Sequence, residues 1–163
     1  MSDFFTKTDL SRKDAESIIS ETLNNCDDGE LYLENSKSES IVLDDDKIKS
    51  SSYSSDLGYG LRAVTGEVVA YSHSNEISKK SLKQSANNLS STLKSQKGIY
   101  NHEIPQTNEK FYKDVNPIEE KSLQSKLDLL KEVNNYTRAK GGMVQQVTAS
   151  FLGEHKSIEI IRS

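Results

Sequence analysis

The sequence predicts an α+β fold: a largely antiparallel sheet, with a meander around residues 30–74 and further strands over 143–162, packed against two or three helices. Three observations carry this. Ala15, Ile18, Ile19 and Leu23 recur at helical spacing, and so do Leu82, Ala86, Leu89 and Leu93. Between these stretches the apolar residues alternate and short turn signals interrupt them, the pattern of consecutive antiparallel strands. Leu, Ile, Val and Phe supply 38 of the 163 residues. That fraction lies just above the roughly 20% below which chains tend to disorder, so a thin core is expected.

The elements follow in order. Phe4 and Phe5 either anchor the start or fray. A helix is predicted over 11–25, with Ser11 and Asp14 as a capping-box-like start. Asp27-Asp28-Gly29 ends it. Leu31 and Leu33 share one face of a strand over 30–34. A second short strand covers 40–43. The acidic run Asp44-Asp45-Asp46 then turns the chain, since Asp side chains bond nearby backbone N–H groups. Residues 47–55 are polar but extended, which suits an edge or a solvated face. Residues 57–64 follow, and Thr65-Gly66 reverses the chain into 67–72.

The clearest helix spans 78–95, with Ser78 as N-cap. Residues 96–118 form a long connection containing Gly98, Pro105 and Pro117. A further helix runs from about 119 or 122 to 140, with Leu123, Leu127, Leu130 and Val133 turned inward and Gly141-Gly142 stopping it. The tail reads as strand, with Met143, Gln145, Val147, Ala149 and Phe151 on its more apolar face. Gly153-Glu154 is expected to turn it into a last strand over 157–162. The chain stops inside or just after that strand, which is the expectation for the front part of a longer protein.

Composition excludes several classes. No apolar stretch approaches 18 residues, so no membrane helix is expected. The N-terminus lacks the basic and apolar regions of a signal peptide. A single cysteine, Cys26, suits a reducing, cytoplasmic location. The net charge of −4 with interspersed signs offers no basic face for nucleic acid.

Chemistry-bearing residues are sparse. His73, His102 and His155 each stand alone, without the paired spacing that presents two imidazoles to zinc. Cys26 reads as helix-end packing. Gly58 and Gly60 lack the third glycine and following helix of a phosphate loop, so they read as glycines that relieve crowding in a strand. The Asp44–Asp46 run lacks the glycine and distal glutamate of a calcium loop. Glu30 with Glu34, and Glu67 with Glu76, read as surface carboxylates. Arg62, mid-strand between Leu61 and Ala63, reads first as a partner for a carboxylate and second as a ligand contact. No catalytic or metal residue is assigned, and the substrate-binding residues are left unknown.

Three ordered stretches resemble the amino-terminal region of the TldD/PmbA family, nearest its TldD branch. They are Gly29-Glu-Leu-Tyr-Leu-Glu, Ser38-Glu-Ser-Ile-Val-Leu-Asp-Asp-Asp-Lys-Ile-Lys, and Gly58-Tyr-Gly-Leu-Arg-Ala-Val-Thr-Gly-Glu. Ala70-Tyr71-Ser72, Lys126-Leu-Asp-Leu-Leu and Gln146-Val147-Thr148-Ala149-Ser150 continue the match, so it runs over most of residues 28–163. The resemblance implies a zinc metallopeptidase acting on unfolded polypeptides or peptides, with TldD and TldE subunits pairing. It places the His-Glu-x-x-x-His zinc motif in a carboxy-terminal part, and this sequence has no such motif. Residues 1–163 are therefore expected to be the amino-terminal α+β domain, with zinc expected only of the full-length family member. Its expected role is to shape the substrate chamber and subunit interface, with a TldE/PmbA-like subunit or a second copy as partner. The other reading is a non-catalytic peptide- or partner-binding module of the same fold.

Overall fold

The computed structural model describes residues 4–93, 98 and 115–162. The elements are α1 (Arg12–Leu23), β1 (Asp28–Asp44), β2 (Lys47–Thr65), β3 (Val68–Ser74), α2 (Lys79–Leu93), α3 (Pro117–Glu120), α4 (Leu123–Arg138) and β4 (Thr148–Ile161). The strands form one sheet in the order β3-β2-β1-β4. The α+β class and the antiparallel meander are as the sequence predicts. Most of the long connection, with His102 and Pro105, lies outside the described residues.

The chain divides into two compact units. Unit 1 comprises 1–35, 56–109 and 157–163. Its helices begin where their caps dictate. Ser11 Oγ accepts from the Asp14 amide at 3.0 Å and donates to the Asp14 carboxylate at 2.7 Å. Ser78 Oγ accepts from the Ser81 amide at 3.1 Å. The apolar stripe of α1 (Ala15, Ile18, Ile19, Leu23) and that of α2 (Leu82, Ala86, Leu89, Leu93) are buried in one cluster with Leu31, Leu33, Leu61 and Ala63 of the sheet. Phe4 is buried in the same cluster, so the start of the chain is anchored there. β2 and β3 pair antiparallel from Tyr59↔Ser74 to Thr65↔Val68. The reversal between them uses Gly66 at φ +58, in the left-handed region glycine occupies without strain. Asp27 fixes that turn by accepting from the Gly66 amide at 2.6 Å.

Unit 2 comprises 36–55 and 110–156. Ser122 caps α4, accepting from the Ser125 amide at 3.2 Å. Its core is smaller: Ile41, Leu43, Leu130 and Ala149, with Leu127 and Phe151 packed against them. Beside it lies a buried ion pair. Lys126 Nζ reaches Glu39 Oε2 at 2.5 Å and the Ile118 carbonyl at 2.7 Å.

Four expectations are corrected. The two short strands over 30–34 and 40–43 are one strand of 17 residues. Residues 47–55 and 57–64 likewise form one strand of 19. Polar side chains interrupt the hydrophobic alternation there but leave the backbone ladder intact. The last strand starts at Thr148 instead of residue 143 and runs straight through Gly153. A Cβ at Gly153 would come within 3.3 Å of Ile118, so this glycine admits a neighbouring side chain rather than making a turn. In α4 the buried stripe is Lys126, Leu130 and Asn134. Leu123 and Val133, expected inward, are exposed.

Candidate functional site

Strand alternation decides what the two faces of the unit 1 sheet carry. Leu31 and Leu33 face the helices, so Glu30, Tyr32 and Glu34 take the opposite face. On β2 the same argument gives Asp56, Gly58, Gly60 and Arg62. On β3, where Ala70 is buried, it gives Val69, Tyr71 and His73. Val69, Tyr71, Ile158 and Ile160 are all exposed.

One end of this face is a charge ladder. Arg62 Nη2 lies 2.5 Å from Asp28, and its Nε lies 3.4 Å from Glu30. Arg162 Nη2 reaches Glu30 from the other side at 3.0 Å. The Arg62 guanidinium, through its hydrogen bond, holds the Asp28 carboxyl below the usual carboxylate range. Asp28 in turn raises Arg62. Arg62 is therefore committed to carboxylates within the sheet, the structural pairing that its mid-strand position suggests.

The other end is a hollow of about 280 Å³. Tyr32, Glu34, Asp56, Gly58, Tyr71 and His73 line it. The Tyr71 and His73 rings stack with centroids 5.8 Å apart. Tyr32 donates its hydroxyl to Glu34 at 2.5 Å. That bond, with partial burial, pushes the Tyr32 phenol up to about 12. Gly60 lies under the Tyr71 side chain: a Cβ there would sit 2.7 Å from the Tyr71 hydroxyl. Sequence reasoning named Glu34, Gly58, Gly60 and His73 singly but not the tyrosines. The available signal was parity, since Tyr32 and Glu34 alternate with two leucines.

The remaining singled-out residues do not converge. Cys26 is a free thiol, partly buried against the unit 1 core. Asp45 and Asp46 occupy the hairpin turn with φ of 47° and 64°. Asp44 accepts from Gln146 and Thr148, both at 2.9 Å, and those bonds lower its pKa. His155 lies in unit 2, on β4. Among the described residues no three His, Cys, Asp or Glu side chains are arranged to hold a metal ion. Among the described residues no helix is long and apolar enough to cross a membrane.

A long-stranded antiparallel sheet backed by helices defines an α+β protein. Residues 29–92 match the family model described as PmbA/TldA metallopeptidase domain 1. The chain is 35% identical over 133 residues, 81% of its length, to a "Metalloprotease TldD homolog" of Buchnera aphidicola from Acyrthosiphon pisum. It is 31% identical over 143 residues, 84% of its length, to the protein of that name in Haemophilus influenzae. It spans only 28% and 29% of those relatives. Among solved structures, a candidate modulator of DNA gyrase from Bacteroides thetaiotaomicron superposes with a TM-score of 0.66 at 18% identity, covering 93% of this chain and 36% of that one. TldE from Thermococcus kodakarensis superposes with a TM-score of 0.58 at 15% identity, covering 92% and 36%. At those identities the structures show a shared fold. The chain belongs to the TldD/PmbA family, as its amino-terminal region.

Proposed function

We propose that this chain is the amino-terminal part of a TldD-like zinc metallopeptidase that processes unfolded polypeptides or peptides, with this part shaping the substrate chamber and subunit interface. The observation that carries the reading is the outer edge of β2. β3 covers only Tyr59–Thr65, so residues 47–57 run at the sheet edge with every side chain exposed. An open edge offers backbone donors and acceptors to an extended segment and binds it without reading its sequence. The peptidase naming of the relatives makes a polypeptide substrate the fitting occupant. The bond-breaking groups and the zinc belong to sequence beyond the matched third. A TldE-like subunit is the proposed partner, and the cytoplasm the proposed location.

Amide hydrogen exchange tests the edge. Adding an unstructured peptide is expected to slow exchange along 47–57 and leave α1 and α2 unchanged. Unchanged exchange along β2 at saturating peptide would remove the support for this reading. The chain by itself is expected to bind no stoichiometric zinc and to cleave no denatured protein. One tight equivalent of zinc, or cleavage blocked by a chelator, would place the catalytic centre here after all.

A further inference from the structure

We propose that α4 packs antiparallel against α4 of a second copy of this chain, through the exposed stripe of Leu129, Val133 and Tyr136. The contact does not use the β2 edge, so it stands or falls independently of the peptide-binding reading.

α4 divides its apolar residues between two faces. The residues it buries in unit 2 are Lys126, Leu130 and Asn134, two of them polar. Leu129, Val133 and Tyr136 recur at i, i+4 and i+7, and all three are exposed. Leu129 and Val133 also border a groove of about 440 Å³ between α4 and β4, with Val147, Ala149 and Phe151 on its other side. A surface helix ordinarily turns such a stripe inward, because exposing it forfeits the gain from burial. A second helix laid along the stripe would cover it and set side chains into the groove, as helices pack ridge into groove.

Charge selects the partner. Glu132 and Lys140 lie four residues either side of Tyr136, and helical spacing puts residues so placed on one face. Lys140 keeps that position past the end of the helix, its Nζ standing 4.1 Å from the centre of the Tyr136 ring. A two-fold axis at Tyr136 runs the two helices antiparallel. It sets Glu132 of each copy opposite Lys140 of the other, so two ion pairs flank the apolar contact. A parallel arrangement in register would place Glu132 against Glu132 and Lys140 against Lys140, which like-charge repulsion disfavours. Exposed pairs of this kind add little affinity but fix orientation. The contact is isologous, so one stripe serves both copies. An unrelated partner would have to reproduce the stripe with its charges in reversed order, whereas a second copy already carries both.

The test is sedimentation velocity on the full chain, labelled with ¹⁵N, from micromolar to millimolar concentration. The chain is expected to pass from monomer to dimer as concentration rises, with amide shifts gathered at Leu129, Val133 and Tyr136. Glu132→Lys and Lys140→Glu are each expected to weaken the dimer at least about tenfold, because each sets like charges opposite one another twice. Mixing the two variants in equal amounts is expected to restore association, since the mixed dimer again opposes unlike charges at both positions. Both side chains are exposed, and recovery on mixing also shows that neither variant is misfolded. Val133→Asp, which puts a carboxylate into the apolar contact, is expected to abolish the dimer. A chain that stays monomeric at millimolar concentration overturns the proposal and leaves the stripe to a different partner. A dimer that the charge variants leave unchanged, or that mixing fails to restore, overturns it by placing the contact on another face. Exchange along 47–57 reports on the peptide reading separately, because none of these substitutions lies there.

Discussion

Units 1 and 2 share β1, β2 and β4 but bury different chemistry against them. In unit 1, two amphipathic helices and the leucines of β1 and β2 build a core of 18 buried residues. Its buried Tyr59 hydroxyl meets Ser81 and Ser85, each at 2.9 Å, while Asn35 Oδ1 and Thr65 Oγ1 lack a hydrogen-bond partner. In unit 2, four buried apolar residues sit beside the Lys126–Glu39 pair. Asn134 is buried there with its Oδ1 lacking a hydrogen-bond partner. Unit 2 also exposes Leu123, Leu129, Val133, Tyr136, Met143 and Leu152. Unit 1 is therefore held by apolar burial. Unit 2 sets a buried ion pair beside a smaller apolar core and exposes several large apolar side chains. The difference teaches that the same long strands are stabilised by different chemistry in the two units.

Four changes break or sharpen this contrast. The largest effect is expected at Lys126. Lys126→Met strands Glu39 without its cation, at a cost of about 3–5 kcal/mol read from urea unfolding. Adding Glu39→Leu is expected to restore most of that loss. A cost under about 1 kcal/mol would show that the pair does not organise unit 2. Next comes Leu61→Ala in unit 1, fully buried, with an expected loss of about 2–5 kcal/mol in the same assay. It is expected to accelerate amide exchange at Leu31 and Leu33 more than at Ile41 and Leu43, and the reverse order would break the division into units. Third, Ser122→Ala removes the α4 cap and is expected to cost about 1 kcal/mol, seen as faster exchange in the first turn of α4.

The smallest effect is a pH dependence in unit 1. Asp14 is lowered from 3.8 to about 2, first by the hydrogen bond from Lys79 and then by that from Ser11. Lys79 Nζ lies 2.7 Å away, clasping α1 to α2. A depressed carboxylate stabilises the fold above its unfolded value, and the contribution fades as pH falls from about 4 toward 2. Asp14→Asn is expected to flatten thermal stability across that window. An unchanged pH profile would show that the clasp adds nothing.

Much of unit 1 was legible in the sequence. Ser11, Ser78 and the two apolar stripes behave as their spacing dictates, because capping and amphipathicity are local properties. The long strands were read as pieces. Residues 35–39 and 47–56 are polar, and a strand held by its backbone ladder needs no apolar residue to continue. α4 was rotated in the reading because periodicity counts Leu123 and Val133 as inward and a lysine as outward. Lys126 is buried only because Glu39, 87 positions away, meets it. The hollow was missed for the same kind of reason. Tyr32, Gly60 and Tyr71 come from three strands, and only their pairing brings them together.

The position of β4 has a kinetic consequence. β1, β2 and β3 are joined by short turns, so their pairing closes only small loops and can zip from each reversal. β4 reaches β1 across far more chain: the Thr148 hydroxyl meets Asp44 from 104 residues away. Closing such a loop carries an entropic penalty that local contacts do not, and non-local pairing slows folding accordingly. β4 is thus expected to join last. Until it does, the β1 edge stays open to any passing strand, which makes the interval before docking the step at which this chain is most exposed to misassembly.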